Sequence, residues 1–156
     1  MKTLIIFYSR SGNTLGIAED IKKNIKSDIE EITDLKNRNG IFGYLSGCLD
    51  AALKRLTKIS LVTKDPGKYD LIIIGTPVWS GSMAPATRTF MIENYIKLKN
   101  TAFFCTMGGK DPKKTFFQME NIFGRKPKDV LAISGEELRT DSYKDKLNAF
   151  IKNIKK

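Results

Sequence analysis

Apolar and polar positions alternate along the chain between two periods. Residues 2–8 (K-T-L-I-I-F-Y) and 70–76 (D-L-I-I-I-G-T) are nearly continuous apolar runs, as expected of strands covered on both faces. Residues 101–107 and 129–134 read as further strands, and residues 28–33 give a weaker one. Between them the period becomes helical. Leu15, Ile17, Ala18, Ile21 and Ile25 line one face of residues 14–25, a helix follows Pro85 to about residue 97, Asp111-Pro112 opens another, and residues 143–154 close the chain as a last helix.

Residues 41–56 are amphipathic: Ile41, Leu45, Cys48, Leu49, Ala52, Leu53 and Leu56 form one face, with Asp50, Lys54 and Arg55 off it. That pattern suits a helix packed wholly on the sheet, and equally one that exposes Phe42 and Tyr44 to a second subunit. Asp65-Pro66-Gly67 marks a turn before the next strand.

Strands alternating with helices predict an α/β fold, a three-layer doubly wound five-stranded parallel sheet. The expected strand order is 2-1-3-4-5, with ligands bound beyond the carboxyl ends of the strands. No repeat, low-complexity tract or linker divides the sequence, so residues 1–156 are expected to form a single domain.

Composition narrows the chemistry. The chain has no histidine, which removes the commonest general base and metal ligand and every Ser-His or Cys-His nucleophile pair. Chemistry here is therefore expected to come from a cofactor, with no metal site. Cys48 and Cys105 lie far apart without a CxxC spacing and read as free thiols. The longest early apolar run is too short for a signal sequence or a membrane span, so a cytoplasmic location is expected. The net charge of +10 favours anionic partners without choosing among them.

Three loops at predicted strand ends have unusual composition. Ser9-Arg10-Ser11-Gly12-Asn13-Thr14 joins a strand to a helix. Gly12 lets the backbone curl, the helix start offers unpaired N–H groups, and the short polar side chains leave room for a phosphate. The loop has neither a Walker A ending nor a GxGxxG spacing; a plain helix cap with turn residues is the alternative. Thr76-Pro77-Val78-Trp79-Ser80-Gly81-Ser82 carries the only tryptophan, at a strand end where no core is expected. Its ring suits stacking on a planar group, or packing over a neighbouring helix end. Thr106-Met107-Gly108-Gly109-Lys110 permits close backbone approach to a ligand, or serves as a flexible connection.

Together these loops resemble the flavodoxin family, in its short-chain form. Ser9 to Thr14 is similar to the family's phosphate loop, and Gly75-Thr76-Pro77-Val78-Trp79-Ser80-Gly81 to its first ring-binding loop. The resemblance implies flavin mononucleotide (FMN), its phosphate held by Ser9, Ser11, Asn13, Thr14 and nearby backbone amides, with Arg10 and Gly12 also among the cofactor-binding residues. Thr76, Pro77, Val78, Trp79, Ser80 and Gly81 would meet one side of the ring, with Trp79 covering a face and the Ser80–Gly81 peptide near flavin N5. Thr106, Met107, Gly108 and Gly109 would meet the other side.

Two departures bear on function. The third loop lacks the aromatic residue that often covers the second ring face, leaving Met107 as nearest candidate. Flavodoxins are typically acidic, whereas residues 97–128 alone hold eight basic side chains against two acidic ones. Positive potential from Lys110 and its neighbours is expected to favour anionic reduced flavin. The resemblance implies an electron carrier serving an acidic partner protein; the alternative is an NAD(P)H-dependent reductase of quinones or other small acceptors. No nucleic-acid motif is present, and neither a receiver domain's acidic cluster nor a phosphatase Cys-x5-Arg loop follows the first strand.

Overall fold

A computed structural model of the chain describes residues 1–109 and 111–156. The apolar runs pair as a parallel sheet of β1 (Thr3–Phe7), β2 (Ser27–Glu31), β3 (Leu71–Trp79), β5 (Thr101–Met107) and β6 (Val130–Ser134). A two-residue strand, β4 (Ser82–Met83), folds back antiparallel on the end of β3. The path β2-β1-β3-β5-β6 is the expected doubly wound order once that hairpin strand is set aside.

Helices α1 (Asn13–Asn24), α2 (Gly40–Ala52), α3 (Pro85–Asn94), α4 (Lys113–Phe123), α5 (Gly135–Thr140) and α6 (Lys144–Ile154) complete the layers. Side chains alternate across β1, so Leu4 and Ile6 join one core while Ile5 and Phe7 join the other. The first core takes Phe90 and Met91 from α3 and Met119 and Phe123 from α4. The second takes Ile17 and Ile21 from α1 and Phe150 and Ile154 from α6.

Three local features differ from the expected elements. β3 runs on to Trp79, so the residues read as a loop from Thr76 are strand, and Thr76 Oγ1 accepts the Ala84 N–H at 3.0 Å to hold the hairpin. The turn of that hairpin has Ser80 at φ 49° and Gly81 at φ 71°, the paired left-handed conformations of a tight two-residue connection. Helix α5 falls outside the expected elements and opens on a capping box: Ser134 Oγ accepts the Glu137 N–H, and the Glu137 carboxylate accepts the Ser134 N–H.

The largest difference is in α2. Its buried residues are Gly43, Gly47, Asp50 and Ala51, while the apolar face turns to solvent. Glycines let the helix backbone lie close: a Cβ on Gly47 would stand 2.6 Å from the Trp79 ring, and one on Gly43 2.4 Å from the Arg38 carbonyl carbon. Asp50 accepts hydrogen bonds of 2.7 Å from both Arg38 Nη1 and Lys36 Nζ, and Arg38 Nε donates to Asp34 at 2.9 Å.

This ion network makes stability sensitive to acid. Burial works to raise the Asp50 carboxyl, but hydrogen bonds and charge from Lys36 and Arg38 outweigh it and bring it from 3.8 to about 2. A carboxylate depressed on folding contributes stability above its unfolded value and loses it as pH falls through the folded one. Urea unfolding should therefore show about 2 kcal/mol lost from this group between roughly pH 4 and pH 2. Asp50→Asn should flatten that part of the profile; an unchanged slope would remove Asp50 as its source.

Candidate functional site

The register of the central strands places Phe7 beside Gly75, and Pro77 beside Thr106. The segments after β1, β3 and β5 therefore share one end of the sheet. Their residues line a single cleft: Arg10, Ser11, Asn13 and Thr14 from the first, Pro77, Val78 and Trp79 from the second, Thr106, Met107 and Gly108 from the third. The Thr14 and Thr106 hydroxyls are hydrogen bonded to each other at 2.8 Å, which fastens the first segment to the third.

At the start of α1, Gly12 adopts φ 92°, a conformation costly for any residue with a Cβ. Ser9 Oγ accepts the N–H groups of Gly12 and Leu15, both at 3.2 Å. Ser9 thus shapes the loop from behind, and the Asn13 and Thr14 amides remain at the open end of the helix. The first turn of α1 contains no acidic residue, and among the described residues no carboxylate lines the cleft. Such an end suits an anion.

Arg10 is turned aside. Its Nε donates to the Arg38 carbonyl at 2.8 Å, its Nη2 to the Gly40 carbonyl at 3.1 Å, and its guanidinium lies 5.0 Å from the Tyr44 ring centre. It joins the first loop to the start of α2 while keeping its charge at the cleft wall.

Trp79 also differs from the expectation that no core lies at this strand end. It is only 4% exposed, edge-on to Tyr8 and Tyr44 with ring centres 5.6 Å and 6.1 Å away. Glycine 47 makes the room for it. The ring backs the cleft instead of standing free above it, which is the helix-packing alternative. Tyr44, 39% exposed, is the more accessible aromatic at the wall.

Ser9, Gly12, Thr76, Ser80, Gly81 and Gly109 do not line the cleft. Ser9, Gly12 and Thr76 set backbone shape, and Ser80–Gly81 forms the hairpin tip. That tip is secured from the core, where Gln118 Nε2 donates to Ser82 Oγ at 3.1 Å and Arg88 Nη2 to Gln118 Oε1 at 2.6 Å. Lys110 lies outside the described residues. Of its basic neighbours, Lys114 packs its stem beside Gly81, where a Cβ would meet it at 3.7 Å.

Sequence reasoning missed Tyr44, Gly135 and Leu138, which also line the cleft. Gly135 lies within the Ser134–Glu137 capping box and Leu138 just after it, at the end of a fourth strand, β6. Cys105 is buried, its thiol pushed up to about 12 by desolvation, and Cys48 is half-buried and free. Among the described residues, no group of three His, Cys, Asp or Glu side chains could hold a metal ion.

Comparison with known proteins gives the same architecture. A flavoprotein from Lactobacillus acidophilus NCFM in complex with FMN is 29% identical, over 94% of this chain and 98% of its own, at a TM-score of 0.75. The apo form of the flavoprotein from that organism is 30% identical, over 88% and 95%, at 0.62. Oxidised flavodoxin 1 from Bacillus cereus is 18% identical, over 99% and 98%, at 0.56, a likeness of fold alone. No curated protein sequence matches the chain. The model of the flavodoxin domain matches residues 41–156, which begin after the phosphate-type loop and include the other cleft segments. By that match and the doubly wound sheet that frames the cleft, this chain belongs to the flavodoxin domain family.

Proposed function

We propose that the chain binds FMN in this cleft as a single flavodoxin-like domain and carries electrons to and from an acidic partner. The convergence of an anion-accepting helix start with the two other strand ends singled out in the sequence carries the reading. The L. acidophilus relative, in complex with FMN, supports it.

Bound FMN supplies one- or two-electron redox chemistry, and the chain supplies the setting for it. Ser11, Asn13, Thr14 and the amides at the start of α1 are the residues to hold the phosphate. Pro77, Val78 and Tyr44 would flank the ring, with Trp79 excluding water from behind. Arg10 adds positive charge at the wall without entering the cradle. The +10 chain favours encounter with acidic surfaces, an attraction that weakens as salt rises.

Purified protein titrated with FMN should shift the flavin absorption bands and quench flavin fluorescence at one equivalent. Absence of any spectral change at micromolar protein would sink the proposal. A second reading, reduction of a small acceptor by NAD(P)H, draws on the third segment, where Met107 is the one large side chain among the described residues and Gly108 and Gly109 are exposed. Steady-state NAD(P)H oxidation with a quinone present separates the two.

A further inference from the structure

Helix α2 carries its hydrocarbon on the outside. Ile41, Phe42, Leu45 and Leu49, with Leu53 and Leu56 just beyond the helix, are 53–84% exposed. At 3.6 residues per turn, Ile41, Leu45, Leu49 and Ala52 share one side, flanked by Phe42 and Tyr44. A surface helix ordinarily presents the reverse arrangement.

The exposed charges of the segment that carries this face have one sign. Asp50 is the only acidic residue between positions 35 and 64, and it is turned inward against Arg38 and Lys36. Within positions 35–64 the exposed charged residues are Lys36, Lys54, Arg55 and Lys58, all positive. A bare apolar face edged by cations suits a helix lying in the interface of an anionic bilayer. At 13 residues, α2 is too short to span one, and no described helix is long and apolar enough to cross a membrane. A second copy docked on the same face would bring the same cations together on two chains of +10 each. Anionic headgroups neutralise them instead.

We propose that α2 docks this chain on anionic lipid surfaces. Ile41, Phe42, Leu45 and Leu49 enter the boundary between headgroups and acyl chains, and Lys54 and Lys58 meet headgroup phosphates. Tyr44 belongs to both this face and the cleft, so docking brings the cleft mouth to the membrane. The inference does not rest on flavin binding, because lipid binding is read on the chain with or without FMN.

The test is co-sedimentation of the full chain with vesicles of phosphatidylglycerol and phosphatidylcholine, against vesicles of phosphatidylcholine alone. Partitioning to the anionic vesicles should be at least about tenfold stronger, through the basic residues at the rim. Leu45→Glu with Leu49→Glu should lower it by about tenfold or more, since both side chains leave the apolar face. Lys54→Glu with Lys58→Glu should lower it by about fivefold for each charge removed. The lysine pair lies beyond the helix and keeps the test readable if the leucine pair unfolds. No binding by the unmodified chain would overturn the proposal, as would undiminished binding by the folded leucine variant. A dimer that the leucine pair dissolves, with no vesicle binding, would assign the face to a second copy and overturn it too.

Discussion

Replacing Ser11 by aspartate is expected to weaken FMN binding by at least about a hundredfold while leaving the fold intact. Two unit charges about 4 Å apart at a protein surface repel by roughly 4 kcal/mol at an effective dielectric of 20, and each 1.4 kcal/mol is a factor of ten. Ser11 is exposed at the start of α1 and lines the cleft, so its carboxylate variant meets little steric resistance in the free protein. It also sets a negative charge at the positive end of that helix, which favours the empty cradle. Ser11→Ala separates repulsion from the lost hydroxyl, whose removal should cost only about 1–3 kcal/mol. The comparison ligand is riboflavin, which has the ring without the phosphate. Its affinity should be similar in the native chain and in Ser11→Asp. Equal losses for both ligands would mean that Ser11 faces the ring, and the phosphate assignment would fall.

The second large effect concerns stability. Arg38→Met should cost about 3 kcal/mol, the lower end of the range for breaking a buried ion pair by removing one partner. Arg38 is almost wholly buried, donates to Asp34 at 2.9 Å and to Asp50 at 2.7 Å, and lends its carbonyl to Arg10 at 2.8 Å. Without the guanidinium, two carboxylates remain under α2. The loss is not larger because Lys36 and Arg55 still reach Asp50, and the Thr57 hydroxyl still donates to Asp34 at 2.7 Å. Arg38→Lys should recover only part of it, since one ammonium cannot reproduce the fork that serves both acids. Urea unfolding at pH 7 measures both variants. A loss below about 1 kcal/mol for Arg38→Met, the size of a surface pair, would show that α2 is held by its glycine contacts alone.

These two residues also differ in how visible they were beforehand. Ser11 sits in a segment whose proposed role is local: a strand end, a glycine and the start of a helix together suit an anion. Arg38 is one of 27 basic residues in the chain, and nothing in its neighbours marks it as the buried one. Its role comes from Asp34 and Asp50, which reach it through the turn before α2 and the helix itself.

The strands were legible because a strand covered on both faces must be apolar at nearly every position, as residues 4–8 and 71–74 are. Their alternation with helices, and the single handedness of parallel crossovers, left the doubly wound order as the natural arrangement. Where the loops converge follows from that order, and so the cleft was visible through Ser11, Asn13, Thr14, Pro77, Thr106 and Gly108. The orientation of side chains at its rim was not. Trp79 is polar-flanked in sequence, yet the glycine opposite it on α2 turns its surroundings into core. The face of α2 was undetermined for a related reason: apolar periodicity identifies a helix's two sides, but close contact through Gly43 and Gly47 decided which one packs. By itself the sequence determined the sheet, its winding and the end of the sheet where the three segments meet, all properties of short segments and chain connectivity. Only the tertiary structure decided that Trp79 is buried, that Arg10 is turned aside and that α2 shows its hydrocarbon outward, because each depends on a backbone approach between residues far apart in the chain.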